Sequence, residues 1–463
     1  MKDAVIVGGG LAGLSAAWRL RNWDTTVLES ADRVGGRISS EMRGQYFLNW
    51  GGHVYAGEGS ATDRLFRETG TLVAEVPGTL AGLSMNGKLL LRGPVASYPF
   101  RVPMSMAARI AMIKAGAKVG LDVLRYARVV RARRGERPET RQMRVYGFKN
   151  DRSFADYIGD LPDDAWAWFR PTVSRSAGDP EELAAGSGIG YFSLVWNIGQ
   201  GLNRSILGGP SVLTETMAAA VRDRIHLGAR VSEVVSKKDS VLVRYAQDGT
   251  EREIEARTVI MATPATVTHR VAVDLPAETR DALGEIVYGP YVSAAFLTNE
   301  TTPQPWDGAY GIATPKRSMS VVLNMGNIVR GIEQTRQPGG SIMAFSPGAL
   351  ARRLMDRSDD EVIDAYTRDL DEVLPGFGGI VEESHVQRWE LGAPYSFPGR
   401  GRLQPALLRP SERIFLAGDY LGTLYTETAI QTGMTAAAGA SAVLATERQM
   451  RHREPGGPVE VHG

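Results

Sequence analysis

The residues best placed to do chemistry in this 463-residue chain bind a ligand rather than move protons. Gly8, Gly10 and Gly13 stand in G-x-G-x-x-G spacing, and Glu29 follows Gly8 by 21 positions. That combination predicts a dinucleotide cradle. Gly8 permits a tight turn, Gly10 lets the backbone approach a pyrophosphate, and Gly13 lets a helix lie close on the preceding strand. Glu29 is placed to accept hydrogen bonds from the hydroxyls of an adenosine ribose. No H-x-x-x-H pattern or cluster of carboxylates suggests a metal. The chain has no cysteine, which removes disulfides, iron–sulfur clusters and thiolate zinc.

The elements that must hold these residues are legible around them. Ala4, Val5, Ile6 and Val7 form a short apolar run suited to a parallel strand covered on both faces. A helix is predicted over residues 11–20. It begins at Leu11 and Ala12 and turns its N-terminal amides and positive dipole end toward the phosphates. A second strand over residues 25–28 ends at Glu29. Strand, glycines, helix, strand and acid in this order are the context that the glycine motif requires.

The residues after Glu29 carry a resemblance. Ser30, Ala31, Asp32, Arg33, Val34, Gly35, Gly36 and Arg37 resemble the L-E-A-x-x-R-x-G-G-R extension of flavin amine oxidases, protoporphyrinogen oxidases and phytoene desaturases. The resemblance implies FAD. Gly35 and Gly36 would let the backbone approach its pyrophosphate, with Arg37 near the phosphates or the flavin end. Asn49, Trp50, Gly51, Gly52 and His53 look like the D-x-G-G segment beside the flavin ring, with Asn49 replacing the usual Asp. Residues 230–264 resemble the family's V-x-x-I…V-x-V…D-G…V-I-x-A-T-P segment, whose Val231 would frame the adenine. Residues 414–438 resemble its second fingerprint, A-G-D followed by E-G-A-x-x-S-G-x-x-A-A. There Gly418 and Asp419 would meet the ribityl chain or pyrophosphate. A helix starting near Glu427, with Thr428, Ala429 and Ile430 in its first turn, would aim its amide end at the flavin carbonyl. Thr428 stands where the family usually has Gly.

The resemblance implies a two-domain α/β flavoprotein. It would combine a discontinuous glutathione-reductase-type (Rossmann-like) FAD domain with a substrate domain of mixed sheet and helices. It further implies an FAD-dependent oxidoreductase that removes hydride from an apolar or amphipathic small molecule, creating C=C or C=N. Oxygen or another acceptor would reoxidise the flavin. The FAD is expected to be non-covalent, from both fingerprints and from the absence of a cysteine to link it, with a histidyl link at His53 left open by composition. Tyr425 matches the tyrosine of the family's G-Y-x-E-G-A aromatic cage, while the other cage position, near Ala393 and Pro394, is not aromatic. His53 would be a general base or a structural histidine in a tight turn. Residues 287–294 match the strand that carries a lysine in ordinary amine oxidases, and they contain none. That favours the protoporphyrinogen oxidase and phytoene desaturase branch. Two alternatives stay open, a redox-neutral isomerase or mutase and a non-enzymatic protein resembling the GDP-dissociation inhibitors.

At 463 residues the chain is too long for one core, and two domains are expected. The flavin blocks place the FAD domain in residues 1–85, 205–265 and 381–446. Residues 86–204 and 266–380 are left for the substrate domain, and 447–463 for a frayed polar tail. A helix is expected over residues 212–221. With 53 basic and 52 acidic residues the net charge is +1, so no general attraction to nucleic acid is implied. The uncharged stretch 4–18 belongs to the nucleotide turn rather than to a signal peptide, and no uncharged apolar run reaches the ~20 residues of a spanning helix. The expected location is cytoplasmic. Residues 103–144 are the exception in charge: Ala, Met, Ile and Val lead into eight arginines, a basic amphipathic pattern suited to peripheral contact with an anionic membrane.

Overall fold

The computed structural model describes residues 1–78, 80–196, 202–332, 336–409, 412–423 and 425–453. Two seven-stranded sheets organise them. In the first, the order is Ile225–His226, Thr25–Leu28, Lys2–Val7, Thr250–Met261, Val241–Gln247 and Arg230–Ser236. Thr25–Leu28, Lys2–Val7 and the end of Thr250–Met261 run parallel, and Ile414–Leu416 adds in parallel beside Met261. Val5 and Ile6 are fully buried, as a strand covered on both faces demands. The helix Leu11–Arg19 ends one residue before the expected boundary and packs against the C-terminal helix Tyr425–Arg453.

The second sheet runs Val381–Pro394, Tyr288–Thr298, Gly340–Pro347, Val321–Asn324, Gly311–Ala313, Gly82–Met85 and Lys88–Leu90. Two expected boundaries move here. The flavin blocks place Gly82–Met85 and Val381–Pro394 in the nucleotide half, but both pair in this sheet. Val381–Pro394 satisfies its backbone along Tyr288–Thr298, and Gly82–Met85 does so against Gly311–Ala313. A helical layer covers one side, built from Met106–Val130, Pro138–Tyr146, Asp163–Ser174 and Ala185–Val195. Its core is aromatic, with Phe154, Phe169 and Phe192 buried together.

Three further expectations are corrected. The helix predicted over 212–221 spans Ser211–Ala219. The C-terminal helix begins at Tyr425 rather than near Glu427. Residues 447–453 are helical, not a frayed tail, because Glu447 holds the helix to Arg257 and Arg413 at 3.2 and 2.7 Å. The rest of that expected tail, 454–463, lies outside the described residues. Among the described residues no helix is long and apolar enough to cross a membrane.

Candidate active site

The two glycine turns meet. Gly8 adopts φ 105°, and a Cβ on it would stand 2.7 Å from the Ala262 carbonyl oxygen. A Cβ on Gly13 would come within 1.9 Å of the Gly8 oxygen, so only glycine lets the first helix sit on the turn. The Gly35 amide donates to the Gly9 carbonyl at 2.8 Å, and a Cβ on Gly36 would stand 3.2 Å from the Gly10 Cα. Side chains on Gly8, Gly13 or Gly35 would strike backbone and break the turns, whereas Gly10 has nothing nearer than the Gly36 Cα at 3.9 Å and leaves the cradle open. The Glu29 carboxylate closes one side, accepting from the Gly9 and Ala31 amides at 2.6 and 2.8 Å. Those bonds fix its orientation and leave lone pairs for a ribose.

A cavity of about 1300 Å³ extends from this cradle through the protein. That exceeds the roughly 300–1,000 Å³ of ordinary small-molecule pockets and leaves room for a dinucleotide with a second molecule beside it. Gly8, Gly10, Leu11, Ala12, Glu29, Ser30, Gly35, Gly36 and Arg37 line it, with Val231 at the cradle end. Gly51, Gly52, His53, Gly418, Asp419, Ala429 and Tyr425 line it further along. Three expected contacts are not on its wall. Gly13 supports the turn from behind, Thr428 lines a neighbouring cavity of about 450 Å³, and the Ile430 side chain is in the core. The cradle, its acid and the size of the cavity all fit FAD.

Arg37 and Asp419, each expected at the cofactor by itself, form a bidentate pair at 2.9 and 3.0 Å. Arg37 also donates to the Gly392 carbonyl at 3.1 Å. Burial alone would lower its pKa, but Asp419 and Tyr288 outweigh that and hold it above the ordinary value. The pair ties the first flavin block to the last. Asn49 is fully buried and donates to the Gly51 carbonyl at 3.1 Å and to the Met343 sulfur at 3.0 Å. A carboxylate there would face the carbonyl and the thioether without a donor, which accounts for Asn in place of Asp.

Opposite the nucleotide end, the cavity wall is aromatic. Tyr425, the first residue of its helix, holds φ 39°, a left-handed conformation that costs a non-glycine residue energy and is kept only where the surroundings impose it. Its ring meets Tyr191 edge-on, with centroids 5.9 Å apart. Tyr191 donates to the Arg175 carbonyl at 3.0 Å, and Tyr291 donates to the same oxygen at 2.6 Å. The Tyr191 and Tyr425 hydroxyls also interact. Burial pushes all three phenols up, so they are protonated at neutral pH. Trp389 lines the same cavity and donates its indole N–H to the Trp50 carbonyl at 3.0 Å. Tyr395, the aromatic nearest the second cage position in sequence, packs in the helical layer instead.

His53 is held in the tight turn, its Nδ1 3.0 Å from the Gly51 carbonyl. A carbonyl only accepts, so Nδ1 carries the proton and Nε2 keeps its lone pair. Burial lowers its pKa to about 4, the Gly51 bond opposes this, and the Arg175 charge adds to it. A base that weak is poorly matched to proton removal at neutral pH. The geometry favours the structural reading of His53.

Arg175, the C-cap of the helix Asp163–Ser174, is the residue that sequence reasoning missed. It lines the cavity, its Nε has no partner, and no acid among the described residues pairs with it. Burial lowers its pKa to about 10, so it stays charged at neutral pH. Leu80, Val321, Leu323, Met343 and Phe345 complete an apolar wall nearby. Nothing in the spacing around Arg175 sets it apart from the other arginines.

Comparison with known proteins agrees with this geometry. A family model described as flavin containing amine oxidoreductase matches residues 11–440. The chain is 24% identical to an L-amino-acid oxidase of Sistrurus catenatus edwardsii, over 94% of this chain and 86% of that protein. It is 25% identical to an L-amino-acid oxidase of Daboia russelii, over 94% and 88%. Among solved structures, wild-type putrescine oxidase bound to putrescine has a TM-score of 0.74 at 20% identity, covering 95% of this chain and 99% of that one. Cyclohexylamine oxidase from Brevibacterium oxydans IH-35A has a TM-score of 0.75 at 17% identity, covering 96% and 99%. These two structures share the fold.

Proposed function

We infer that this chain, which belongs to the flavin-containing amine oxidoreductase family, oxidises the C–N bond of a small amine that also carries a carboxylate. Membership makes it an FAD-dependent oxidoreductase, and neither the redox-neutral nor the non-enzymatic alternative gains support. The strand without a lysine pointed toward C=C formation. The named relatives act at amines or amino acids, and they support C=N formation instead. Bound FAD supplies the two-electron acceptor for the hydride leaving the amine carbon.

The observation that carries the carboxylate is the Arg175 guanidinium, which lines the cavity charged and, among the described residues, without a counter-ion. An unpaired buried charge is costly, and a bound carboxylate would offset that cost with charge-assisted hydrogen bonds. The Tyr191 and Tyr291 bonds to its backbone carbonyl hold Arg175 in place before substrate arrives. Tyr425 and Tyr191 would exclude water and align the amine, and the apolar wall would take a hydrophobic side chain. The substrate loses a hydride from carbon and a proton from nitrogen, and water converts the resulting imine to an oxo acid and ammonia.

Anaerobic reduction of the holoenzyme tests this with paired substrates, each amino acid against the amine left by removing its carboxylate. The amino acid should be favoured in kcat/KM by about 10–100-fold, the worth of hydrogen bonds to a charged group. Arg175→Met should remove that preference without lowering the thermal midpoint, because it deletes an unpaired charge. Equal reduction by both members of each pair in the native enzyme would sink the carboxylate, and reduction by neither would sink amine oxidation.

A further inference from the structure

The helix Met106–Val130 has two apolar faces where one suffices for packing. Ala108, Met112, Ala115, Val119 and Val123 are buried against the helical layer and the second sheet. On the opposite side Met106, Ile110, Ile113, Leu121 and Leu124 are 63%, 48%, 40%, 61% and 51% exposed. At about 100° per residue these five fall within a sector of roughly 80°. They form a continuous stripe, with Ala117 filling its middle. Scattered exposed apolar residues need no explanation, but a stripe along one helix does.

The charge around the stripe identifies what covers it. Lys114, Lys118 and Arg125 run along one edge, and Arg128, Arg131, Arg133 and Arg134 continue from its C-terminal end, all exposed. Residues 100–135 contain nine Lys and Arg and a single acid, Asp122, which is buried and already paired with Arg125 and Lys149. The segment thus carries +8 in a chain of net +1, leaving −7 for the remainder. Such asymmetry orients the molecule with this helix toward negative charge. A second copy of the chain would bring the same cations face to face.

We propose that the outer face of the helix Met106–Val130 docks on an anionic lipid surface, its apolar stripe entering the headgroup boundary and its Lys and Arg pairing with lipid phosphates. This is how an amphipathic helix lies in a membrane interface without crossing it. The same helix presents Tyr126 and Val130 to the smaller cavity, which shares Tyr191 and Tyr425 with the flavin-side cavity, so docking places the active site close to the lipid.

Flotation of the holoenzyme with phospholipid vesicles tests the proposal. Vesicles containing phosphatidylglycerol should carry the protein upward, vesicles of phosphatidylcholine alone should not, and added salt should release it. Leu121→Gln with Leu124→Gln should weaken binding by about tenfold or more. Replacing Arg131, Arg133 and Arg134 together by Gln should weaken it by about a hundredfold. Both variants should keep the wild-type flavin spectrum, thermal midpoint and turnover, since none of these positions touches the site. Three results would overturn the proposal: no binding to anionic vesicles, equal binding to neutral ones, or undiminished binding of the leucine variant. A wild-type dimer that the leucine variant converts to monomer would assign the stripe to a second copy and overturn it equally.

Discussion

Glu29 illustrates how one side chain can serve two structures. Its oxygens already hold the Gly9 and Ala31 amides, so removing the carboxylate loosens the cradle as well as the ribose contact. Glu29→Gln keeps an acceptor but loses the charge, and FAD should bind more weakly by about 10–100-fold in titration of the apoprotein. Unchanged affinity would remove Glu29 from the cofactor. At Tyr425 the ring and the hydroxyl do different things. Tyr425→Phe keeps the ring against Tyr191 and removes only the hydroxyl, so the rate of anaerobic flavin reduction should fall only modestly. Tyr425→Ala should slow that rate strongly, and a normal rate in this variant would place the residue outside the reaction. His53 gives a pH signature. Its folded-state pKa of about 4 lies below the ordinary 6.5, so between these values the unfolded chain takes up a proton that the folded one refuses. Stability therefore rises with pH through that window, is fully present above it, and is lower by a few kcal/mol at the acid end. His53→Asn should flatten the thermal midpoint between pH 4 and 6.5.

At the scale of elements, the C-terminal helix is held by features at several points along its length. Near its start the Glu427 carboxylate accepts from the Ala61 and Thr62 amides at 2.9 and 3.0 Å, supplying the negative charge favoured at the N-terminus of the helix Ala61–Thr69. Further along, Gly433 lets it touch the first helix, since a Cβ would stand 2.2 Å from the Ala12 oxygen and 3.2 Å from the Ser15 Cβ. Near its far end Glu447 ties it to Arg257 and Arg413. Gly433→Ala must push the two helices apart, and the first of them carries the phosphate-facing amides. It should lower stability by about 1–3 kcal/mol and weaken FAD binding, while Gly379→Ala, with nothing within 4 Å, serves as the control that leaves FAD binding unchanged. A Gly433→Ala protein with native midpoint and native FAD affinity would refute this close crossing.

In the molecule as a whole, the two sheets meet where the cofactor and substrate ends of one cavity join. Arg37 spans that junction, bonded to Asp419 on the nucleotide side and to the Gly392 carbonyl of the second sheet. Because no cysteine exists to link it, FAD should be freed by acid precipitation and appear in the supernatant. A pellet that stays yellow would contradict non-covalent binding. FAD that binds only the folded chain should also raise the thermal midpoint with its free concentration.

What the sequence determined alone was the cofactor cradle. Its glycines, helix and acid lie within 37 consecutive residues, and their backbone geometry follows from local spacing. Only the tertiary structure decided what stands opposite. Arg175 and Tyr191 come from two successive helices and Tyr291 from a strand 116 positions after Arg175, and no local pattern announces that a helix end will deliver a cation to the cavity. Arg37 and Asp419 were each legible, but 382 positions separate them and only folding made them a pair. The sheet boundaries failed for the same reason, since Val381–Pro394 chose the partner that satisfied its backbone rather than its neighbour in sequence. Local spacing sets backbone turns, whereas the convergence of side chains depends on how distant elements pack.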